Sequence, residues 1–407
     1  MRLWWKGRKI PAYRQRVGER FSKNLGEDAP VDIWVHAVSL GEVIAAITMI
    51  ETLIAKDYKV LVTTMTPTGS ERVQRHFGNK VVHQYLPYDL PRVVNRFLQH
   101  YQPRIGVIME TELWPNLIGC ARLKQIPMIL VNGRLSQQSY KGYRWAKGLF
   151  QPVLNELTSI LVQTEEDKSR FVQLGAATDL VRVMGNMKFD ANFYVKDAEV
   201  VQDLKMKWGK NRVVLMLAST HENEEALFLD EFAALQAVIP DLLLMIAPRH
   251  PERFEKVFQL SKNKGLNTGR RTRPEQIDPS IQVMVMDSLG ELMAAYSCCD
   301  YTFVGGSLVP VGGHNVLEPI ALVKPVFSGR HVHNFKAIFE ILEAAKAVQM
   351  IDSVGQLIDT IRLFQENPGE KTAQVERARD ILERNRGVIQ KYIKEIEIYA
   401  KTNRVIL

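Results

Sequence analysis

Cysteine is scarce, with only Cys120, Cys298 and Cys299 in 407 residues. Their spacing offers neither a disulfide framework nor a set of metal ligands, which fits a reducing, cytoplasmic setting. Long apolar runs are missing as well. No stretch reaches the ~18 apolar residues of a membrane-spanning helix, and the start MRLWWKGRKI lacks the apolar core of a signal peptide. No segment repeats at a fixed period and none is of low complexity. A composition of 46% hydrophobic and 24% charged residues excludes disordered and collagen-like chains. At ~150 residues per domain, the length suggests two or three domains.

Acidic residues are nearly absent from the N-terminal end. Residues 1–25 hold eight Lys and Arg against Glu19 alone, so they carry +7 of the net +8. A basic end on a near-neutral body points to a local anionic contact, and no nucleic-acid recognition module follows it, so no nucleic-acid partner is expected. Trp4 and Trp5 stand beside Lys6, Arg8 and Lys9. Indole rings favour the lipid headgroup layer and cations favour an anionic leaflet, so this segment is expected to contact a membrane surface.

From residue 30 onward, short apolar runs alternate with helical stretches. Strands are expected at 32–38, 59–64, 81–86, 104–109, 127–131, 159–163 and 180–184, then at 212–218, 241–247, 281–286, 300–304 and 324–327. The runs are nearly continuous rather than alternating, as in parallel strands covered on both faces. The class is therefore α/β, with two doubly wound domains and a cleft between them. The expected divisions are a basic aromatic segment (1–25), a first domain (26–190), a linker (191–211), a second domain (212–370) and a helical tail (371–407) interrupted by Gly387.

Open parallel sheets bind ligands beyond the carboxyl ends of their strands. In the first half those ends carry Ser39-Leu40-Gly41-Glu42, Glu110-Thr111-Glu112, Asn132-Gly133-Arg134 and Gly185-Asn186-Met187-Lys188. In the second they carry Ser219-Thr220-His221, Pro248-Arg249-His250, Gly305-Gly306-Ser307 and the run from Gly312-Gly313 to Glu318. Carboxylates and a lysine collect first; Arg, His and glycine loops follow, like an acceptor side and an anion-binding donor side. Each has a plainer reading. Ser39-x-x-Glu42 and Ser288-x-x-Glu291 are also capping boxes, and the glycines suit tight turns. As a base, Glu42 needs burial or a neighbouring carboxylate to offset the helix dipole. Of Glu110 and Glu112, only one is expected to reach the cleft. Asn315 and Glu318 share a helical face. The two glycine pairs offer backbone amides to a phosphate. His331-x-His333 lacks a third ligand, so zinc is not expected.

Together HAVSLGE (36–42), ETELWPN (110–116), NGRLS (132–136), GNMKFD (185–190), APRHPERF (247–254), DSLGEL (287–292) and GGHNVLEP (312–319) resemble the 3-deoxy-D-manno-octulosonic acid (Kdo) transferases of lipopolysaccharide core biosynthesis. The resemblance runs from about Trp4 to about residue 350. It implies a GT-B glycosyltransferase that moves Kdo from CMP-Kdo to a lipid A precursor, with inversion and without metal or other cofactor. Glu42 would be the general base, with Glu112 and Lys188 stabilising the transition state. Gly41, Glu110 and Arg134 would face the acceptor. Ser219, Thr220, Arg249, His250, Gly290, Glu291, Leu292, Gly312, Gly313, Asn315, Val316, Leu317 and Glu318 would bind the donor. Attachment is expected at the cytoplasmic face of the bacterial inner membrane, through the Trp/Lys/Arg edge or an anchor ahead of it. The competing readings are a GT-B enzyme using a UDP-sugar and a non-catalytic nucleotide-binding protein at a membrane surface.

Overall fold

In the computed structural model, the apolar runs pair into two seven-stranded sheets with parallel neighbours. Residues 11–402 are described, apart from 27–28, 192, 194, 196–197 and 209–210. The expected membrane contacts Trp4, Trp5, Lys6, Arg8 and Lys9 lie outside the described residues. Two compact units divide the chain, Met1–Ala191 with Asn385–Leu407 and Asn192–Arg384.

In the first unit β1 (Ile33–His36), β2 (Val60–Thr64), β3 (Val82–Tyr85), β4 (Ile105–Met109), β5 (Met128–Gly133), β6 (Ser159–Val162) and β7 (Val181–Val183) lie in the order β3-β2-β1-β4-β5-β6-β7. The order reverses between β1 and β4, where such sheets place a ligand. Both faces are covered. Trp34, Leu61 and Ile108 face one apolar cluster, while Ile33, Val35, Val60, Val62, Ile105 and Val107 face the other, as side-chain alternation along a strand requires.

The second sheet holds β8 (Val213–Thr220), β9 (Leu242–Pro248), β10 (Thr268–Arg270), β11 (Val283–Val285), β12 (Tyr301–Val304), β13 (Val326–Ser328) and β14 (Gln349–Met350), in the order β10-β11-β9-β8-β12-β13-β14. Its reversal lies between β8 and β12. Leu215 and Leu217 face one cluster, and Val214, Met216 and Ala218 the other.

Three expectations about organisation need revision. The stretch 191–211 is not simply a linker, because it contains the helix Ala198–Trp208, whose Trp208 is buried in the second unit's core. The tail 371–407 divides. Its helix Pro368–Arg384 belongs to the second unit, whereas Val388–Thr402 returns to the first and packs Val388, Ile389, Tyr392, Ile393 and Ile396 beneath β1, β2 and β4. Gly387 makes the break at φ 80°, and the Asp190 carboxylate accepts the Gly387 and Ile389 amides at 2.7 and 2.5 Å. Finally, among the described residues, two N-terminal cations turn inward. Arg20 is fully buried, donating to the Met65 carbonyl at 2.9 Å and lying over the Tyr85 ring, while Arg16 pairs with Glu19 and donates to Ser70 at 3.0 Å.

Among the described residues no helix is long and apolar enough to cross a membrane.

Candidate functional site

At the reversal point of the first sheet, the loop after β1 starts the helix Leu40–Ala55 with Ser39 as its N-cap. Glu42 lies in the first turn, only 8% exposed. Its carboxylate accepts from the Val38 amide at 2.8 Å and from Ser39 Oγ at 3.0 Å. Ser39 Oγ in turn accepts the Glu42 amide at 3.5 Å, so one half of the capping box is met, while the amide that Glu42 takes is one residue earlier than the pattern predicts. Burial, then Glu110, with a smaller push from Glu112, raises the Glu42 pKa to about 8. Glu112 is raised to about 7, mainly by burial and further by Glu110. The condition set for Glu42 as a base, burial or a neighbouring carboxylate, is met on both counts.

Glu110 and Glu112 stand two residues apart, a spacing that shares one side of an extended chain, so the expectation that only one of them reaches the site does not hold. β4 ends at Met109, and Glu110 turns the chain through φ 55°, a left-handed conformation uncommon for a side chain of this kind. Both carboxylates therefore act on Glu42. Asn132, at the end of β5, has φ 53°, and its Oδ1 accepts the Met187 amide at 3.2 Å, drawing in the loop that carries Lys188. Burial lowers the Lys188 pKa, Glu110 opposes that shift and Arg134 adds to it. Glu42, Glu110, Glu112, Arg134 and Lys188 thus form one electrostatic group, with Gly41 exposed beside it on the helix. Tyr143 joins them without having been singled out from the sequence. Its hydroxyl donates to the Thr111 carbonyl at 3.4 Å, and burial, then Glu112, raises its pKa.

The second unit repeats the device. At the end of β8, Ser219 turns at φ 55°, and the buried Thr220 donates to Glu225 at 2.8 Å. Glu225 also accepts from Arg253 at 2.8 Å. The fully buried Glu224 accepts four backbone amides, from His221 (2.9 Å), Gly306 (2.7 Å), Ser307 (3.0 Å) and Leu308 (3.0 Å). This carboxylate fills the nest that the glycine loop after β12 would otherwise present to an anion. A side chain at Gly305 would lie 2.9 Å from Glu224 Oε2 and 2.8 Å from the Ser219 carbonyl, so the loop needs glycine there.

The amides of Gly312 and Gly313 both donate to the Gly306 carbonyl, at 3.0 and 2.8 Å. The expectation that the glycine pairs turn their amides to a phosphate is therefore corrected: those amides are committed within the protein. Side chains remain. His221 and His314 meet Nε2 to Nε2 at 2.8 Å, and His250 packs edge-on to His221. Burial lowers His314 to about 4, helped by His221 and Arg249. Glu318 is raised by burial, while Asn315, donating to it at 3.1 Å, and Arg249 oppose the shift. Arg249 and His250 are exposed and sit among these groups.

Other expected donor contacts sit differently. Asn315 lies ahead of the helix Leu317–Ala321 rather than on it, so its contact with Glu318 comes from a loop. Val316 and Leu317 bury their side chains in the core, leaving only backbone for a ligand. Leu292 packs against the core. Glu291 pairs with Arg271 at 3.0 Å and accepts from Ser288 at 2.6 Å; the helix begins at Leu292, so Ser288 is not its cap. Gly290 has φ 90°, and a side chain there would meet open space. Among the described residues no group of three or more His, Cys, Asp or Glu is placed to hold a metal ion.

Residues 13–191 match the family described as 3-deoxy-D-manno-octulosonic-acid transferase (kdotransferase). A 3-deoxy-D-manno-octulosonic acid transferase of Haemophilus influenzae is 38% identical over 97% of this chain and 94% of its own length. One of Bordetella pertussis is 35% identical over 95% of this chain and 91% of its own. Among solved structures, a glycosyltransferase from Rickettsia africae aligns over 92% of this chain and 99% of its own with a TM-score of 0.61 at 13% identity, a likeness of fold. The match to two full-length relatives makes this chain a member of the 3-deoxy-D-manno-octulosonic acid transferase family.

Proposed function

We propose that the chain transfers Kdo from CMP-Kdo to the 6′-hydroxyl of a lipid A precursor, with inversion, without a metal, and with release of CMP. The relatives' activity supports the Kdo chemistry. The observation that carries the mechanism is the buried Glu42 carboxyl, held at about 8 beside two further carboxylates where the sheet order reverses.

A group with that pKa is about one-tenth ionised at pH 7, yet accepts a proton far more readily than a surface glutamate. In this reading, Glu42 takes the acceptor hydroxyl's proton as its oxygen attacks the anomeric carbon from the face opposite CMP. Glu112 favours the positive charge that develops at that carbon. The departing phosphate's charge is met by the Arg249 guanidinium, with His250 beside it, rather than by the committed glycine amides. Lys188 serves as a cation among the front carboxylates, with Gly41, Glu110 and Arg134 facing the acceptor. The proposed site of action is the inner membrane's cytoplasmic face, with the basic Trp4–Trp5 segment contributing to attachment.

Glu42→Gln is expected to lower turnover on a lipid A precursor by about 10²–10⁴, read by mass spectrometry of the product, while CMP binding is kept. CMP, and not UDP, is expected to raise the melting temperature. Near-normal turnover in Glu42→Gln would remove it as the base; protection by UDP alone would favour a UDP-sugar enzyme of the same fold.

A further inference from the structure

Residues 113–155 contain six Lys and Arg and no Asp or Glu. Three large apolar side chains in the same stretch are unusually exposed: Trp145 at 93%, Leu123 at 84% and Leu149 at 57%. Trp145 ends the helix Gln137–Trp145, and Leu149 stands early in the next, Lys147–Glu156. Lys141 and Arg144 are exposed beside them. An indole left in water among cations, with no acid nearby in sequence, matches the headgroup layer of an anionic bilayer in both polarity and charge.

The first of these helices has a second face. Two residues before Trp145, Tyr143 hydrogen-bonds to the Thr111 carbonyl, packs edge-on to Phe150 at 4.6 Å and lies within electrostatic reach of Glu112. Two residues along a helix turn the direction by about 200°, so Tyr143 and Trp145 take opposite faces. One short helix thus joins the carboxylate group to an exposed apolar and basic surface.

We propose that the helix pair Gln137–Trp145 and Lys147–Glu156 is a lipid-docking surface, on which Trp145 and Leu149 enter the headgroup layer of an anionic bilayer while Lys141 and Arg144 meet its phosphates. This deepens the reading above by naming the part of the first unit that meets the acceptor's lipid surroundings. It is distinct from the N-terminal Trp4–Trp5 segment. The site fixes the bilayer a helix diameter, about 10 Å, from the residues that face Glu112.

The test is flotation of the full chain with phosphatidylcholine vesicles, with and without phosphatidylglycerol, in the absence of donor and acceptor. Failure here is therefore separate from failure of the catalytic reading. Trp145→Ser with Leu149→Ser is expected to weaken binding to both vesicle types by about tenfold. Lys141→Gln with Arg144→Gln is expected to weaken binding to the anionic vesicles alone, by about fivefold per cation at low salt, with the difference vanishing at high salt. Melting temperature and CMP binding are expected to stay at wild-type values in both variants, since all four side chains are exposed. Wild-type vesicle binding in both variants would overturn the proposal. So would a lipid-free wild-type dimer that Trp145→Ser with Leu149→Ser dissociates, which would make this face a contact between copies.

Discussion

Ionising Glu42 is opposed by burial and by Glu110 and Glu112, and this has two consequences with definite signs. In the free enzyme, kcat/KM is expected to rise about tenfold per pH unit below about pH 8 and then level. A profile flat from pH 6 to 9 would be incompatible with Glu42 as the base. Stability moves the other way. Between the unfolded value of 4.5 and the folded value of about 8, the native state keeps a proton that the unfolded chain has released, so the protein loses stability as pH rises through that window. Glu42→Gln is accordingly expected to melt higher relative to wild type at pH 9 than at pH 5, read by thermal melts at both values. Glu42 could be singled out as a candidate through the resemblance carried by HAVSLGE, whereas its spacing from Ser39 alone reads as a capping box. Glu224 could not. Its run His221-Glu222-Asn223-Glu224-Glu225 reads as an acidic helix start, and the Gly306 amide it accepts is 82 positions away.

The Glu224 carboxylate ties the loop after β8 to the loop after β12 through four backbone amides. Glu224→Gln would turn an amide N–H toward two of the four backbone donors, leaving them unsatisfied in a buried site. A loss of about 2–3 kcal/mol in chemical denaturation is expected, with weaker CMP binding as the His221–His314 pair loses its support. Equal stability and affinity in the variant would show that the loops hold their shape unaided. The same scale marks where sequence patterning was informative. The central strands were legible because β1, β4, β8 and β9 are buried on both faces and read as unbroken apolar runs. Thr268–Arg270 and Gln349–Met350 were missed because edge strands of three and two residues carry no such run. The glycine loops were recognised as special backbone, but spacing cannot say that their amides already have partners.

Across the molecule, the sequence pattern restarts near residue 212, which is why two parallel-sheet units could be expected from it. The final helix could not be assigned to a unit, because an amphipathic helix does not reveal which sheet it will cover. Val388, Ile389, Tyr392 and Ile393 close one face of the first sheet, together with Asp190, which caps their helix. A chain ending at Arg384 is therefore expected to lose protease resistance in residues 30–190, while Asn192–Arg384 stays resistant and still binds CMP. Mass spectrometry of limited digests reads this directly, and full protection of both units would count against the role given to the helix. The same arrangement sets an order on synthesis. The ribosome must produce all of Asn192–Arg384 before the piece that seals the earlier sheet emerges, so a nascent first unit waits with that greasy side open, the condition in which partly made chains associate wrongly.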